Sequence, residues 1–97
     1  MAHHLTKNND LGEAALFTSL NELQRKNIKI NDVRTSVTLE PKVWAILQDL
    51  AAENNTNVHA LCTFIYDRKS KGSSLSSAIR VFLISYLDII RAKNKGR

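Results

Sequence analysis

The spacing of hydrophobic positions changes along the chain. Between residues 11 and 26, hydrophobic side chains recur every three to four residues, which predicts an amphipathic helix. Residues 24–32 are polar enough to be a linker. From Val33 to Glu40, hydrophobic and polar residues alternate, which predicts a short β-strand with one buried and one solvated face. Because no other segment alternates in this way, a mainly α-helical chain with one short strand is predicted.

Three helices are predicted after the strand. Pro41 is favoured in the first turn of a helix, and Thr56 or Asn57 can cap the start of the next one. Gly72 is expected to close the second helix, and the third carries a wide hydrophobic stripe. The predicted helices span Pro41–Glu53, Val58–Lys69 and residues 75–90.

These elements divide the chain into four predicted parts. Residues 1–10 form a flexible tail, and residues 11–32 form the possible amphipathic helix and linker. Residues 33–90 form the folded domain, and residues 91–97 form a basic tail.

A single strand leaves its backbone N–H and C=O groups without partners. With no second strand in the chain, the simplest partner is the same strand of a second copy, related by a twofold axis. This pairing predicts an intermolecular antiparallel two-stranded ribbon in an obligate homodimer. Helices of both copies would support its inner face, formed by Thr35, Val37 and Leu39.

The outer face of the ribbon would carry Arg34, Ser36 and Thr38. A two-stranded ribbon fits the major groove of B-DNA, where a guanidinium can bind guanine through two hydrogen bonds and hydroxyls bind any base. These three residues are therefore the candidate base contacts. The start of the second helix offers free N–H groups and a positive dipole end, which suit a phosphate oxygen.

Basic residues are concentrated near the C-terminus. The chain has 14 Lys and Arg against nine Asp and Glu, for a net charge of +5, and residues 66–97 hold eight of the basic and two of the acidic residues. A solvated surface would explain this, but the asymmetry also favours a polyanionic partner such as nucleic acid. Arg68, Lys69 and Lys71 are candidate contacts to flanking phosphates.

Several classes of protein are disfavoured. One cysteine, Cys62, cannot form an internal disulfide, and the absence of a signal peptide or an apolar run of membrane length predicts a soluble cytoplasmic protein without membrane contact. With neither a glycine-rich phosphate loop nor paired carboxylates, we expect no enzyme. His59 and Cys62 are too few ligands for a closed metal site, so no metal or cofactor is expected.

The segments Arg34-Thr-Ser-Val-Thr-Leu-Glu-Pro41 and Leu75-Ser-Ser-Ala-Ile-Arg-Val-Phe-Leu83 carry a resemblance. From Val33 to about Leu87 the chain resembles a ribbon-helix-helix DNA-binding domain, the family of the Arc and methionine repressors, in a bacterial subgroup with an added third helix. The resemblance implies a dimeric transcriptional regulator, such as a repressor, that binds double-stranded DNA. It implies base contacts from Arg34, Ser36 and Thr38, and phosphate contacts from Asn57, Val58 and His59.

Two other hypotheses remain open at the level of sequence. The chain could be a protein-interaction module, such as an antitoxin or adaptor, that binds a partner through residues 11–26 or the third helix. It could also be a structural dimer that has kept the fold and lost affinity for DNA.

Overall fold

A computed structural model describes residues 22–95, which form a β-hairpin followed by three helices. The predicted bounds of the first helix are confirmed, the second ends one residue earlier than predicted, and the third begins where predicted. The predicted tail at 1–10 and most of the predicted helix at 11–26 lie outside the described residues. The elements are β1 (Gln24–Ile30), β2 (Val33–Leu39), α1 (Pro41–Glu53), α2 (Val58–Arg68) and α3 (Leu75–Lys95).

Strand β1 corrects the prediction that 24–32 is a linker and that the chain has one strand. It pairs with β2 in an antiparallel register that runs from Gln24 opposite Leu39 to Ile30 opposite Val33. The two-residue turn places Asn31 and Asp32 at φ 51° and 68°, a left-handed backbone that these residue types tolerate and that matches the twist of a hairpin.

The hairpin changes the reason for expecting a dimer. The backbone groups on one edge of β2 are paired with β1 of the same chain, so no second copy is needed to complete that edge. The premise of a lone strand is therefore wrong, and the two-stranded ribbon within residues 22–95 forms inside one chain. Pairing of β2 with a second copy stays a prediction.

One face of the hairpin packs against the helices. Ile28 and Ile30 from β1 and Val37 and Leu39 from β2 are buried, while the predicted inner residue Thr35 is half-buried. The predicted core role of Trp44 is confirmed, since only 2% of its surface is exposed. The helices complete the core with Leu47, Leu50, Ala51, Cys62, Ile65, Ile79 and Leu83.

The connection between α1 and α2 is built from asparagines. The Asn54 side chain donates to the Leu50 carbonyl at 2.8 Å, and Asn55 adopts a left-handed φ of 56°. Asn57 is the N-cap of α2, since its side-chain oxygen accepts from the Ala60 N–H at 2.9 Å. The capping role predicted for Asn57 is thereby confirmed.

Helix α3 packs on its own subunit through Ile79 and Leu83. It runs to Lys95, so the predicted basic tail is helical over residues 91–95. Gly72 lies four residues beyond the end of α2 and has no positive φ, so it does not close that helix as predicted. Among the helices within residues 22–95, none has both the length and the apolar character needed to cross a membrane.

Side-chain bonds fix the hairpin to α1 and α3. The Trp44 indole N–H donates to the Gln24 carbonyl at 2.9 Å, and Ser76 donates to the Thr38 carbonyl at 3.0 Å. Arg80 of α3 pairs with Glu40 at 3.0 Å, directly after β2. Hydrogen bonding to Arg80 and to its own backbone lowers the pKa of the Glu40 carboxyl.

Candidate nucleic-acid interface

The solvent side of the hairpin is a continuous polar surface, here called the outer face. Register partners in an antiparallel pair point to the same side of the sheet, so three cross-strand pairs form this surface. Five of its six residues are exposed and Thr38 is half-buried. The pairs are Arg25 with Thr38, Asn27 with Ser36, and Lys29 with Arg34.

The three predicted base-contacting residues lie together on the outer face, but they form only half of it. The other half lies on β1, consists of Arg25, Asn27 and Lys29, and was not predicted from the sequence. Two sequence signals could have revealed it: the alternation of the apolar residues Ile28 and Ile30 with polar neighbours, and the Asn-Asp pair between two β-like segments. The alternation was obscured because Lys26 occupies an inner-side position of β1.

The outer face is positively charged and carries no carboxylate among its six residues. Lys29 and Arg34 lie directly opposite each other, and like charges in that position destabilise a strand pair by a few tenths to about 1 kcal/mol. A bound anion would relieve this repulsion. At the other end of the face, the Arg25 Nε donates to Ser36 Oγ at 2.7 Å, which orients the guanidinium.

Helix α2 holds the free edge of β1. The Lys29 N–H donates to His59 Nδ1 at 2.9 Å, and Thr63 Oγ1 donates to the Lys29 carbonyl at 3.4 Å. Near the turn, the side-chain amide of Asn31 donates to the Asp67 carboxylate at 3.2 Å. Because α2 satisfies these groups, β1 is fixed in place and its Lys29 backbone points away from β2.

The start of α2 lies beside β1 and forms a second polar surface. The N–H groups of Val58 and His59 come before the first helical hydrogen bond and have no partner among residues 22–95. They border an open cleft of about 440 Å³, whose lining includes Lys26, Asn27 and Asn57 and no acidic residue. The three residues predicted to contact phosphate, Asn57, Val58 and His59, thus line one cleft with Asn27 of the outer face. Their contact with phosphate stays a prediction.

Arg68 is the last residue of α2, about 17 Å along the helix from Asn57, and Lys69 and Lys71 follow it. The Arg68 guanidinium lies 3.6 Å from the centre of the Phe64 ring, and the Lys69 ammonium lies 5.3 Å from that of Tyr66. The structure does not bring these cations onto the outer face. Their contact with flanking phosphates stays a prediction.

Cys62 and His59 do not share an environment. Cys62 is fully buried, and burial raises the pKa of its thiol to about 11, so the nucleophilic thiolate is disfavoured. His59 is exposed and its Nδ1 is occupied by the Lys29 N–H. Within residues 22–95, no three His, Cys, Asp or Glu side chains are grouped as a metal site would require.

Comparison with known proteins places this hairpin and its helices in a family. A family model described as a ribbon-helix-helix domain matches residues 23–87, which include both strands, α1, α2 and most of α3. The chain belongs to the ribbon-helix-helix domain family, a class associated with DNA binding and transcription regulation rather than with catalysis.

A solved structure with the same fold is that of an uncharacterized protein from Bordetella pertussis Tohama I. It has a TM-score of 0.66 and 24% sequence identity, over 90% of this chain and 74% of that chain. A comparison with curated proteins gives no match.

Proposed function

We propose that this protein is a cytoplasmic transcriptional regulator that binds double-stranded DNA as a homodimer and inserts the outer face of its hairpin into the major groove. Arg34, Ser36 and Thr38 contact base edges, and the start of α2 contacts a phosphate. The observation that carries this proposal is an exposed, cationic and acid-free surface on a two-stranded ribbon.

The dimensions of the hairpin support insertion. Two paired strands are about 5 Å apart, and the five residues from Arg25 to Lys29 extend for about 14 Å. The major groove is about 12 Å wide and about 8.5 Å deep, so it accepts a two-stranded ribbon with its side chains. The opposed cations Lys29 and Arg34 add an electrostatic reason for a polyanionic ligand, because phosphate would relieve their repulsion.

The start of α2 supports a phosphate contact next to the inserted ribbon. Helix N-termini bind anions through free N–H groups and the positive end of the helix dipole. His59 anchors β1 through its Nδ1, so an anion held by the Val58 and His59 N–H groups would couple the DNA backbone to the position of the ribbon. Arg68, Lys69 and Lys71 supply further phosphate contacts where the duplex extends beyond the hairpin turn.

A test compares a single variant, a triple variant and a control of the full chain. The single variant is Arg34→Ala, and the triple variant adds Ser36→Ala and Thr38→Ala. Affinity is measured at fixed salt for a duplex selected from a random pool. We expect a loss on the order of 10-fold for the single variant and a larger loss for the triple variant. The control is Lys93→Ala near the end of α3, which removes the same charge away from the hairpin. Unchanged affinity in the triple variant would refute insertion of the outer face.

A second candidate function, a protein-interaction module, is favoured by the apolar surface of α3. Three large aliphatic side chains of α3, Val81, Ile84 and Ile89, are each about 60% exposed to solvent. Exposed aliphatic side chains on one helix are typical of a surface that binds another protein. An open groove of about 450 Å³ between α2 and α3, lined by Phe64, Val81 and Phe82 among others, adjoins this surface. Under the leading proposal, the partner at this surface is a second copy of the chain. The surface is then the dimer interface, and the hairpin stays free to bind DNA. A monomeric mass by light scattering, with a different protein bound stoichiometrically, would favour the module instead.

A further inference from the structure

The β1 half of the outer face has a surface chemistry suited to base recognition. We infer that Arg25 and Asn27 recognise bases together with the β2 residues, so that each subunit carries a complete two-stranded DNA-recognition ribbon. Arg25 is assigned to a guanine and Asn27 to an adenine. This inference rests on the proposed DNA-binding function and adds residues of a strand that the sequence did not predict.

Arg25 is oriented before any ligand binds. Its Nε donates to Ser36 Oγ at 2.7 Å, across the strand pair and diagonal to the direct register. An arginine has five N–H donors, so the terminal Nη groups stay available after this bond. Two of these donors match the O6 and N7 acceptors of guanine. Because Ser36 already restricts the side chain, less rotamer entropy is lost on binding.

Asn27 lies at the centre of the outer face, opposite Ser36. Its side chain is exposed and makes no hydrogen bond with any other residue between 22 and 95. A carboxamide can accept from N6 and donate to N7 of adenine at the same time, which makes Asn a base-specific contact. A polar side chain at this central position would reach deepest into a groove that the hairpin enters.

Strand β1 is rigid enough to serve this purpose. His59 and Thr63 of α2 bind the N–H and the carbonyl of Lys29, so the free edge of β1 is fixed to a helix. At its other end, the Gln24 carbonyl accepts from the buried Trp44 indole at 2.9 Å. Side chains on a strand anchored at both ends hold the positions that base recognition requires.

The hairpin also limits how two subunits can combine. If the second copy paired along the remaining edge of β2, the sheet would have four strands and a backbone width of about 14 Å, without side chains. That width exceeds the roughly 12 Å of the major groove. A single hairpin per subunit fits the groove, which leaves dimer formation to the helices and makes Arg25 and Asn27 part of the inserted surface.

The experiment uses the full chain and a duplex selected from a random pool by the unmodified protein. Dissociation constants at fixed salt are measured for that duplex and for every single base-pair replacement in it. The variants are Arg25→Ala, Arg25→Lys and Asn27→Ala, with Lys93→Ala as the charge-matched control. Arg25→Lys keeps the charge but lacks the planar fork of donors, so it separates base recognition from net charge.

We expect both Arg25 variants to weaken binding to the selected duplex by about 10-fold and to lose discrimination at one G·C pair. Asn27→Ala is expected to lose base discrimination at one A·T pair. The affinity of Lys93→Ala is expected to stay within about twofold of that of the unmodified protein. The Arg25 variants could instead weaken binding equally on every duplex and reduce the slope of log affinity against log salt by about one. That result would make Arg25 a phosphate contact and overturn the inference, while DNA binding itself would stand. Unchanged discrimination in Arg25→Lys and Asn27→Ala, with circular dichroism showing the native fold, would also overturn it. If the unmodified protein selects no duplex, the proposed function fails first.

Discussion

The outer face of the hairpin and the solvent side of α3 are both exposed, but they differ in chemistry. The hairpin presents three cations and three neutral polar side chains, with Arg25 already bonded to Ser36. Helix α3 presents aliphatic residues such as Ile84 and Ile89, 66% and 59% exposed. The first surface suits a hydrated polyanion, whereas the second suits a dry apolar partner.

Under the proposed function, this difference assigns nucleic-acid binding and self-association to separate parts of the molecule. Phosphate and base edges require donors and positive charge, and the exposed aliphatic side chains of α3 supply neither. Burial of aliphatic surface needs no charge and is insensitive to screening. Substitutions on one surface should therefore have effects that differ in kind from substitutions on the other.

The largest effect is expected from charge reversal on the hairpin. Lys29→Glu combined with Arg34→Glu replaces one like-charge pair by another, so the stability of the hairpin should change little. Affinity for DNA should fall by a factor of about 100 or more, because two attractive charges become repulsive. Fluorescence anisotropy with a labelled duplex at fixed salt measures the loss.

The matched control for that variant is Lys93→Glu combined with Lys95→Glu, which makes the same change in net charge at the end of α3. We expect it to reduce affinity by less than a factor of about 10 through long-range electrostatics. An equal loss in both variants would mean that the hairpin is not the contact surface and that net charge alone drives binding.

A smaller effect is expected from charges placed on α3. Ile84→Glu combined with Leu87→Glu should leave the thermal stability of the subunit nearly unchanged, since the two side chains are 66% and 44% exposed. The mass measured by light scattering should change from that of a dimer to that of a monomer. Affinity for DNA should fall by about 10-fold, because two linked subunits bind more tightly than one. Ser85→Glu is the control, and a dimer that survives in the double variant would exclude this surface.

The N-cap of α2 belongs to neither of the two surfaces, and its removal should have a moderate effect on stability. Asn57→Ala removes the acceptor for the Ala60 N–H and should lower the free energy of unfolding by about 1 kcal/mol. Asn57→Ser should restore most of this loss, because serine is also a good N-cap. Urea denaturation measures both variants. No difference between Ala and Ser would show that the cap contributes little here.

The smallest effect concerns the ion pair that joins the hairpin to α3. The pKa of Glu40 is lowered in the folded state, so the pair contributes stability above the ordinary carboxyl pKa of 4.5. That contribution is lost as the pH falls below 4.5 and through the lowered folded pKa. Glu40→Gln should therefore reduce stability at neutral pH slightly and flatten the decrease in stability on acidification below the ordinary carboxyl pKa. The measurement is the thermal midpoint against pH, and a slope identical to that of the unmodified protein would contradict it.

The helices were the most predictable part of the fold. Their limits are set by local chemistry: Pro41 starts α1, the left-handed Asn55 ends it, and Asn57 caps α2. Half of the candidate site was equally predictable, because Arg34 and Ser36 follow a clear alternation in β2. Gly72 misled the prediction of the end of α2, since that end is made by an extended Lys69 and needs no left-handed glycine.

Sequence alone determined the three helices, the inward side of β2 and the concentration of positive charge, because each depends on neighbours within a few residues. Only the tertiary structure decided which strand pairs with β2 and which side chains complete its outer face. The polar segment 24–30 becomes a strand because its edge is satisfied by His59 and Thr63 and its carbonyl at Gln24 by Trp44. Those partners lie 20 to 34 residues away in the chain, beyond the reach of any local pattern.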